Sequence, residues 1–171
     1  MDPFSALGLP RRYAIDLAAA ERTHRELARA LHPDRYAGAG ASERRAALAR
    51  AADVNEAWRV LRDPVRRAEA LFALAGVPVG EDREPAASPE LLAEVLELRE
   101  ALSEARAAKD AARVRALAAE VEEKAKRTES ALGAALDGGK DLASHVALLG
   151  ELRFYRRFLE EVSLLEDEME G

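Results

Sequence analysis

The sequence contains no cysteine, which excludes a disulfide framework, a thiolate nucleophile, a cysteine-held zinc and a cysteine-ligated iron–sulfur cluster on this chain. Aromatic residues occupy only 5 % of the 171 positions, and few of the β-branched clusters that strands require occur. Nowhere do about 18 apolar residues run together, so no membrane span is expected. The N-terminus, MDPFSALGLP, lacks a basic region followed by an apolar core, so no signal peptide is expected and the reading is a cytoplasmic protein. Three histidines without ligand spacing give no metal site, and no cofactor is expected.

What is abundant is alanine and charge. Charged residues make up 34 % of the chain and alanine is its commonest residue, a mixture that favours helix. The length allows one ordinary domain or two small ones, not a large multidomain enzyme. Residues 1–80 carry 13 Arg against 10 acids, whereas residues 81–171 carry 13 basic residues against 22 acids. One half is therefore near +3 and the other near −9, which points to two surfaces for two partners. The net charge of −6 argues against nonspecific nucleic-acid binding.

Helical patterns cover about 16–31, 42–62 and 64–75, then 89–108, 110–137 and 140–168. Asp16 and Ser42 suit N-caps, Pro64 suits a first helical position, and Ser88-Pro89 suits a helix start. The segment GVPVGEDREPAASP, Gly76 to Pro89, reads as a linker. These signals predict an all-α chain with an N-terminal domain over 1–75, a linker over 76–88 and a C-terminal antiparallel three-helix bundle over 89–171. In the bundle, Val114, Leu117, Val121, Ala125, Thr128, Leu132 and Ala135 step by three and four and form a buried stripe. Leu71, Phe72, Leu74 and Val77 either dock the two domains into a rigid L shape or complete the first core alone.

Between the first two long helices stands His32-Pro33-Asp34. Proline disfavours helix at the residue before it and lacks a backbone donor, so the helix should stop near Leu31 and the loop should display His32 and Asp34. At about 100° per residue, Leu17, Ala20, His24, Leu27 and Leu31 form one stripe of that helix, and Arg22, Arg25 and Arg29 form another. Arg35 continues the basic stripe past the loop, and together they suggest a docking surface for an acidic protein. Catalysis by His32 and Asp34 is disfavoured because no nucleophile or oxyanion donor set accompanies them, so no enzyme is expected.

A tripeptide HPD between two helices, led into by a basic stripe, resembles a J-domain, the module that engages DnaK-type (heat-shock 70) chaperones. Asp2-Pro-Phe-Ser-Ala-Leu-Gly-Leu-Pro10, Asn55-Glu-Ala-Trp-Arg-Val-Leu-Arg-Asp-Pro-Val-Arg-Arg-Ala-Glu-Ala-Leu71 and Leu91-Leu-Ala-Glu-Val-Leu-Glu-Leu-Arg-Glu100 are similar to the HscB family of iron–sulfur co-chaperones. The resemblance implies that His32, Pro33 and Asp34 help trigger ATP hydrolysis in the partner chaperone, with Arg22, Arg25, Arg29 and Arg35 attracting and orienting it. It also implies a chaperone of the HscA kind and an iron–sulfur scaffold of the IscU kind as partners. Two departures stand out. His24 occupies an inward stripe where the family usually has an apolar or aromatic residue, and Ala93 replaces a commonly larger apolar one. His24 reads as a partly buried packing residue, and Trp58 as core.

The helix beginning at Pro89 carries two apolar columns, Leu91, Val95, Leu98 and Leu102 in one and Leu92 and Leu96 in the other. On the last helix, Leu148, Leu152, Tyr155, Leu159 and Val162 fall in one arc, with Phe154, Phe158 and Leu165 expected opposite, turned away from the core. An aromatic anchor with an acidic rim suits an interface. By position the resemblance implies Leu92, Ala93, Leu96, Glu97, Glu100, Arg153 and Phe154 as the scaffold contact, with Arg153 equally suited to an intrahelical ion pair. The alternatives are a J-domain co-chaperone for another client, and a structural coiled-coil or oligomerisation protein, for which the heptad-like steps from Val114 to Ala135 speak.

Overall fold

The computed structural model describes residues 2–80 and 87–170. Among these there is no strand, as the composition predicts. Seven α-helices follow one another: α1 (Pro3–Ala6), α2 (Leu17–Ala30), α3 (Ala41–Arg62), α4 (Pro64–Leu74), α5 (Pro89–Ala107), α6 (Ala111–Gly138) and α7 (Val146–Glu170). Single 3-10 turns at Pro33–Tyr36 and Leu142–His145 precede α3 and α7. The chain forms two compact units, Met1–Pro78 with Leu136–Gly139, and Val79–Ala135 with Lys140–Gly171.

The boundaries follow from side-chain caps. Asp16 accepts the Ala19 N–H at 2.9 Å, Asp63 accepts those of Val65 and Arg66 ahead of Pro64, and Ser88 accepts that of Leu91 at 3.1 Å. Each satisfies a donor that the first helical turn leaves without an intrahelical partner. Gly76, at φ +74, takes the left-handed conformation that closes α4, where a Cβ would be strained. Two boundaries differ from expectation. Gly40, not Ser42, caps α3. The last helix starts at Val146 and not near Lys140, because Asp141 sits at φ +44 and its backbone breaks the helical path into a 3-10 turn. The centre of the expected linker, residues 81–86, lies outside the described residues.

In the first unit α2 and α3 pack as a hairpin, with α1 and α4 against α3. Phe4, Leu7, Leu31, Val54, Ala57 and Leu61 form its core, and Leu27, Trp58 and Leu71 pack onto it. Phe72 is also fully buried, whereas Leu74 is exposed. Leu17, expected on the inward stripe, is exposed, because Ala20 is where α2 first sinks into the core. The guanidinium of Arg67 is buried, donating to the Leu61 carbonyl at 2.8 Å and lying 4.4 Å above the Tyr13 ring. That pairing offsets the cost of burying the cation.

In the second unit α5, α6 and α7 share one core of Leu98, Leu102, Ala105, Val114, Leu117, Val121, Tyr155, Phe158, Val162 and Leu165. The predicted α6 stripe is buried or half-buried throughout. Phe158 and Leu165, expected to face outward, are core residues with 2 % and 6 % exposure. Near the start of α7 the buried side chains are Val146, Leu149 and Leu152, and near its end they are Phe158, Val162 and Leu165. At 100° per residue that places the buried arc on a different side at each end, so one straight stripe does not describe this helix.

Candidate functional site

The first candidate surface is the turn between α2 and α3. Leu31 closes α2 and is buried, and the chain then turns outward at Pro33. The Nδ1 atom of His32 accepts the Asp34 N–H at 3.3 Å and caps the 3-10 turn. The same Nδ1 lies 3.5 Å from Asp34 Oδ2, so the two side chains of the turn sit against each other. The His32 and Asp34 side chains are 60 % and 91 % exposed. A carboxylate and an imidazole held by a rigid proline turn, and committed to no buried partner, are placed to meet another molecule.

Arg22, Arg25 and Arg29 on α2 and Arg35 within the turn are all exposed. Arg25 pairs with Glu21 one helical turn back, an exposed contact worth only a few tenths of a kcal/mol at about 0.3–0.5. Such a pair is readily exchanged for an acid on a partner. His24 is not among the exposed cations: its ring stacks on Trp58 with centroids 5.6 Å apart and planes 16° apart, and Nε2 lies 2.9 Å from Asn55 Oδ1. It packs α2 against α3, as the sequence suggests.

The second surface lies on the bundle. Leu92 and Leu96 are 53 % and 62 % exposed, so the second apolar column of α5 is left open to solvent. Ala93, Glu97 and Glu100 are exposed on the same side. From α7, Arg153 and Phe154 are half-buried, and the Phe154 ring lies 6.2 Å from Phe158 and 5.6 Å from Tyr155. Phe154 is therefore seated on the core and not turned away from it, with one edge toward a cleft of about 330 Å³. Arg99, Gly150, Arg153, Phe154, Arg157, Phe158 and Glu161 line that cleft. Arg99 escaped the sequence reading, although it stands three and seven residues from Leu96 and Leu92, the spacing of one helix face.

On the opposite side of α5 a polar network ties the bundle together. Glu94 Oε1 accepts from both Lys124 Nζ and the Tyr155 hydroxyl, each at 2.9 Å, and Thr128 Oγ1 donates to Glu151 at 2.7 Å. The hydrogen bond to Glu94 raises the Lys124 pKa above its ordinary value. Burial, reinforced by the hydrogen bond to Glu94, pushes the Tyr155 hydroxyl well above the usual phenol range. These residues hold the helix whose outer face carries Leu92 and Leu96. No cluster of metal-ligating side chains occurs among the described residues, and no described helix is long and apolar enough to cross a membrane.

The arrangement matches known proteins along its whole length. Residues 87–163 match the family described as HSCB C-terminal oligomerisation domain. The chain is 39 % identical over 169 residues to a co-chaperone protein HscB homolog of Cupriavidus taiwanensis, covering 99 % of this chain and 96 % of that one. It is 40 % identical over 162 residues to the homolog of Bordetella pertussis, covering 95 % and 94 %. Among solved structures, chaperone HscB from Vibrio cholerae superposes with a TM-score of 0.87 at 29 % identity, covering 99 % of both chains. The human co-chaperone HscB, at 24 % identity, shares the fold with a TM-score of 0.87 over 96 % of this chain and 81 % of that one. The all-α fold, the exposed turn between α2 and α3, and relatives this similar over nearly their full length together establish that the chain belongs to the HscB family of co-chaperones.

Proposed function

We propose that the chain is a two-headed adaptor acting in the cytoplasm. Residues 1–75 serve as the J-domain that binds a DnaK-type chaperone of the HscA kind and stimulates its ATPase. Residues 89–171 capture an iron–sulfur scaffold of the IscU kind, and 76–88 join the two. The observation that carries this reading is the exposed His32-Pro33-Asp34 turn, fixed by a proline and its own cap, with Arg22, Arg25 and Arg29 exposed on the helix that leads into it and Arg35 exposed within it.

The chain performs no bond chemistry in this reading. It accelerates hydrolysis by binding the hydrolysis-competent chaperone state more tightly than the resting one, since a ligand of equal affinity for both shifts nothing. Asp34 and the His32 imidazole meet the chaperone, and the arginines steer an acidic surface toward them. Leu92, Ala93, Leu96, Glu97, Glu100, Arg153 and Phe154 hold the scaffold, with the two leucines and Phe154 as apolar anchors inside a charged rim. Joining the two sites raises the local concentration of client at the chaperone, so modest separate affinities suffice.

Chaperone ATPase turnover, measured with this chain, with the scaffold and with both, tests the proposal. Stimulation by the chain alone and a response to both that exceeds the sum is expected. His32→Gln should abolish stimulation while leaving the helical circular dichroism intact. No stimulation of a DnaK-type ATPase and no capture of the scaffold would end the reading. A purely oligomeric role, which the family description of residues 87–163 favours, predicts that outcome together with self-association in sedimentation.

A further inference from the structure

A second cleft of the bundle, of about 340 Å³, runs between α5 and α7 and shares Arg99 and Glu161 with the cleft beside Phe154. Its two walls differ in charge. From α5 come Arg99, Ser103 and Arg106, and from α7 come Glu161, Leu164 and Glu168, over the buried side chains of Leu102 and Leu165. Leu164 is 67 % exposed, more than any other large apolar side chain among the described residues. Arg106 and Glu168 meet across the cleft at 2.9 Å, and both side chains are more than half exposed. The Tyr155–Glu94 bond joins positions 61 apart and the Arg106–Glu168 pair positions 62 apart, so α5 and α7 run in the same direction. Arg99 and Glu161 share the second offset, which sets them at one level.

We infer that this face receives the same face of a second copy of the chain, about a two-fold axis parallel to α5 and α7. Such an axis keeps every residue at its level and lays α5 of one copy over α7 of the other. Arg99 then meets the partner's Glu161 and Arg106 the partner's Glu168, and each contact occurs twice. Leu164 meets the partner's Ser103, whose small side chain leaves it room. Charge complementarity argues for this occupant. A wall of arginines beside a wall of glutamates matches its own image better than it matches a partner of one sign. Arg106 and Glu168 exchange one exposed ion pair for an equivalent one, so little is lost electrostatically while Leu164 is covered. The pairing also covers Arg99 and Glu161 of the scaffold cleft, so self-association and scaffold capture exclude each other. The pairing stands without the adaptor reading above, whereas this competition rests on it.

The experiment is sedimentation equilibrium of the full chain from roughly 10 µM to 1 mM at about 0.15 M salt, since a face this small associates weakly. The average mass should climb toward that of a dimer. Leu164→Asp should weaken the dimer at least about tenfold, and Leu164→Met should match the parent. Two charge-reversed chains isolate the contact: one carries Arg99→Glu with Arg106→Glu, the other Glu161→Arg with Glu168→Arg. Each should be monomeric alone, because its like charges face one another, and an equimolar mixture should dimerise at least as well as the parent. A parent that stays monomeric throughout, or a mixture no more associated than its parts, would overturn the inference. So would a dimer that a folded Leu164→Asp leaves intact. Should Leu164→Asp lose helical circular dichroism, the charge-reversed pair decides. Excess iron–sulfur scaffold should return the parent to one copy per complex. Scaffold bound to an intact dimer would overturn the competition, and no scaffold bound at all would fail the adaptor reading while the mixture still decides the pairing.

Discussion

The Tyr155 hydroxyl and the Glu94 carboxylate meet at 2.9 Å, and Lys124 Nζ reaches the same carboxylate oxygen at the same distance. One oxygen thus joins α5, α6 and α7. Glu94→Ala should cost about 1–2 kcal/mol, because the Tyr155 hydroxyl keeps only Glu151 and Lys124 keeps only Glu120. Tyr155→Phe keeps the ring packing and should cost only about 1 kcal/mol. Urea unfolding checks both, and no loss in either variant would mean that the network contributes nothing beyond packing.

The same two partners set the alkaline limit of the bundle. Lys124 and Tyr155 both have folded-state pKa values raised above their ordinary ones, the first by its hydrogen bond to Glu94, the second mainly by burial. A raised value means that the folded state holds its proton more tightly than the unfolded chain. The stability each contributes is complete below its unfolded pKa, about 10, and is lost as pH rises toward the folded value. Melting temperature should therefore change little from pH 8 to 9.5 on account of these groups and fall above about pH 10. Tyr155→Phe should flatten that fall, and an identical alkaline profile for the variant would refute the assignment.

Trp58 is the chain's single tryptophan, and His24 stacks on it. His24→Ala removes the stack and the contact with Asn55 and opens part of the indole to water. A loss of about 1 kcal/mol and a red shift of the tryptophan emission are expected. Chaperone stimulation at saturation should survive, since His24 packs inward and the arginines do not. An unshifted emission would show that the stack does not shield Trp58.

These contacts show where the sequence was legible and where it was not. Asp16, Pro64 and Ser88-Pro89 marked helix starts because a cap acts on the three residues beside it. The α6 stripe was readable because one helix face meets one core along its length. On α7 the arithmetic failed for Phe158 and Leu165, since the buried arc moves around that helix and no local pattern records it. Glu94, Lys124 and Tyr155 are 30 and 31 residues apart in turn, so their shared bond is a product of tertiary packing. Arg99 lines the cleft beside Phe154, and it looks like an ordinary surface residue until its neighbours across that cleft are placed.

The exposed column on α5 permits a test that separates binding from folding. Leu92 and Leu96 are more than half exposed, so Leu92→Ala with Leu96→Ala should change stability by less than about 0.5 kcal/mol. Phe154 rests on Phe158 and Tyr155, so Phe154→Ala should cost about 1–2 kcal/mol in addition. In calorimetry against the iron–sulfur scaffold the double variant should weaken binding at least about tenfold, and the triple variant should abolish it. Stimulation of the chaperone by either variant without scaffold should match the parent, because the His32-Pro33-Asp34 turn is untouched. Ala93→Leu, which adds apolar surface to the same exposed face, should tighten the scaffold complex. Scaffold affinity unchanged in the double variant would remove the α5 face from the interface, whatever the triple variant does, since Phe154→Ala also loosens the core beneath it.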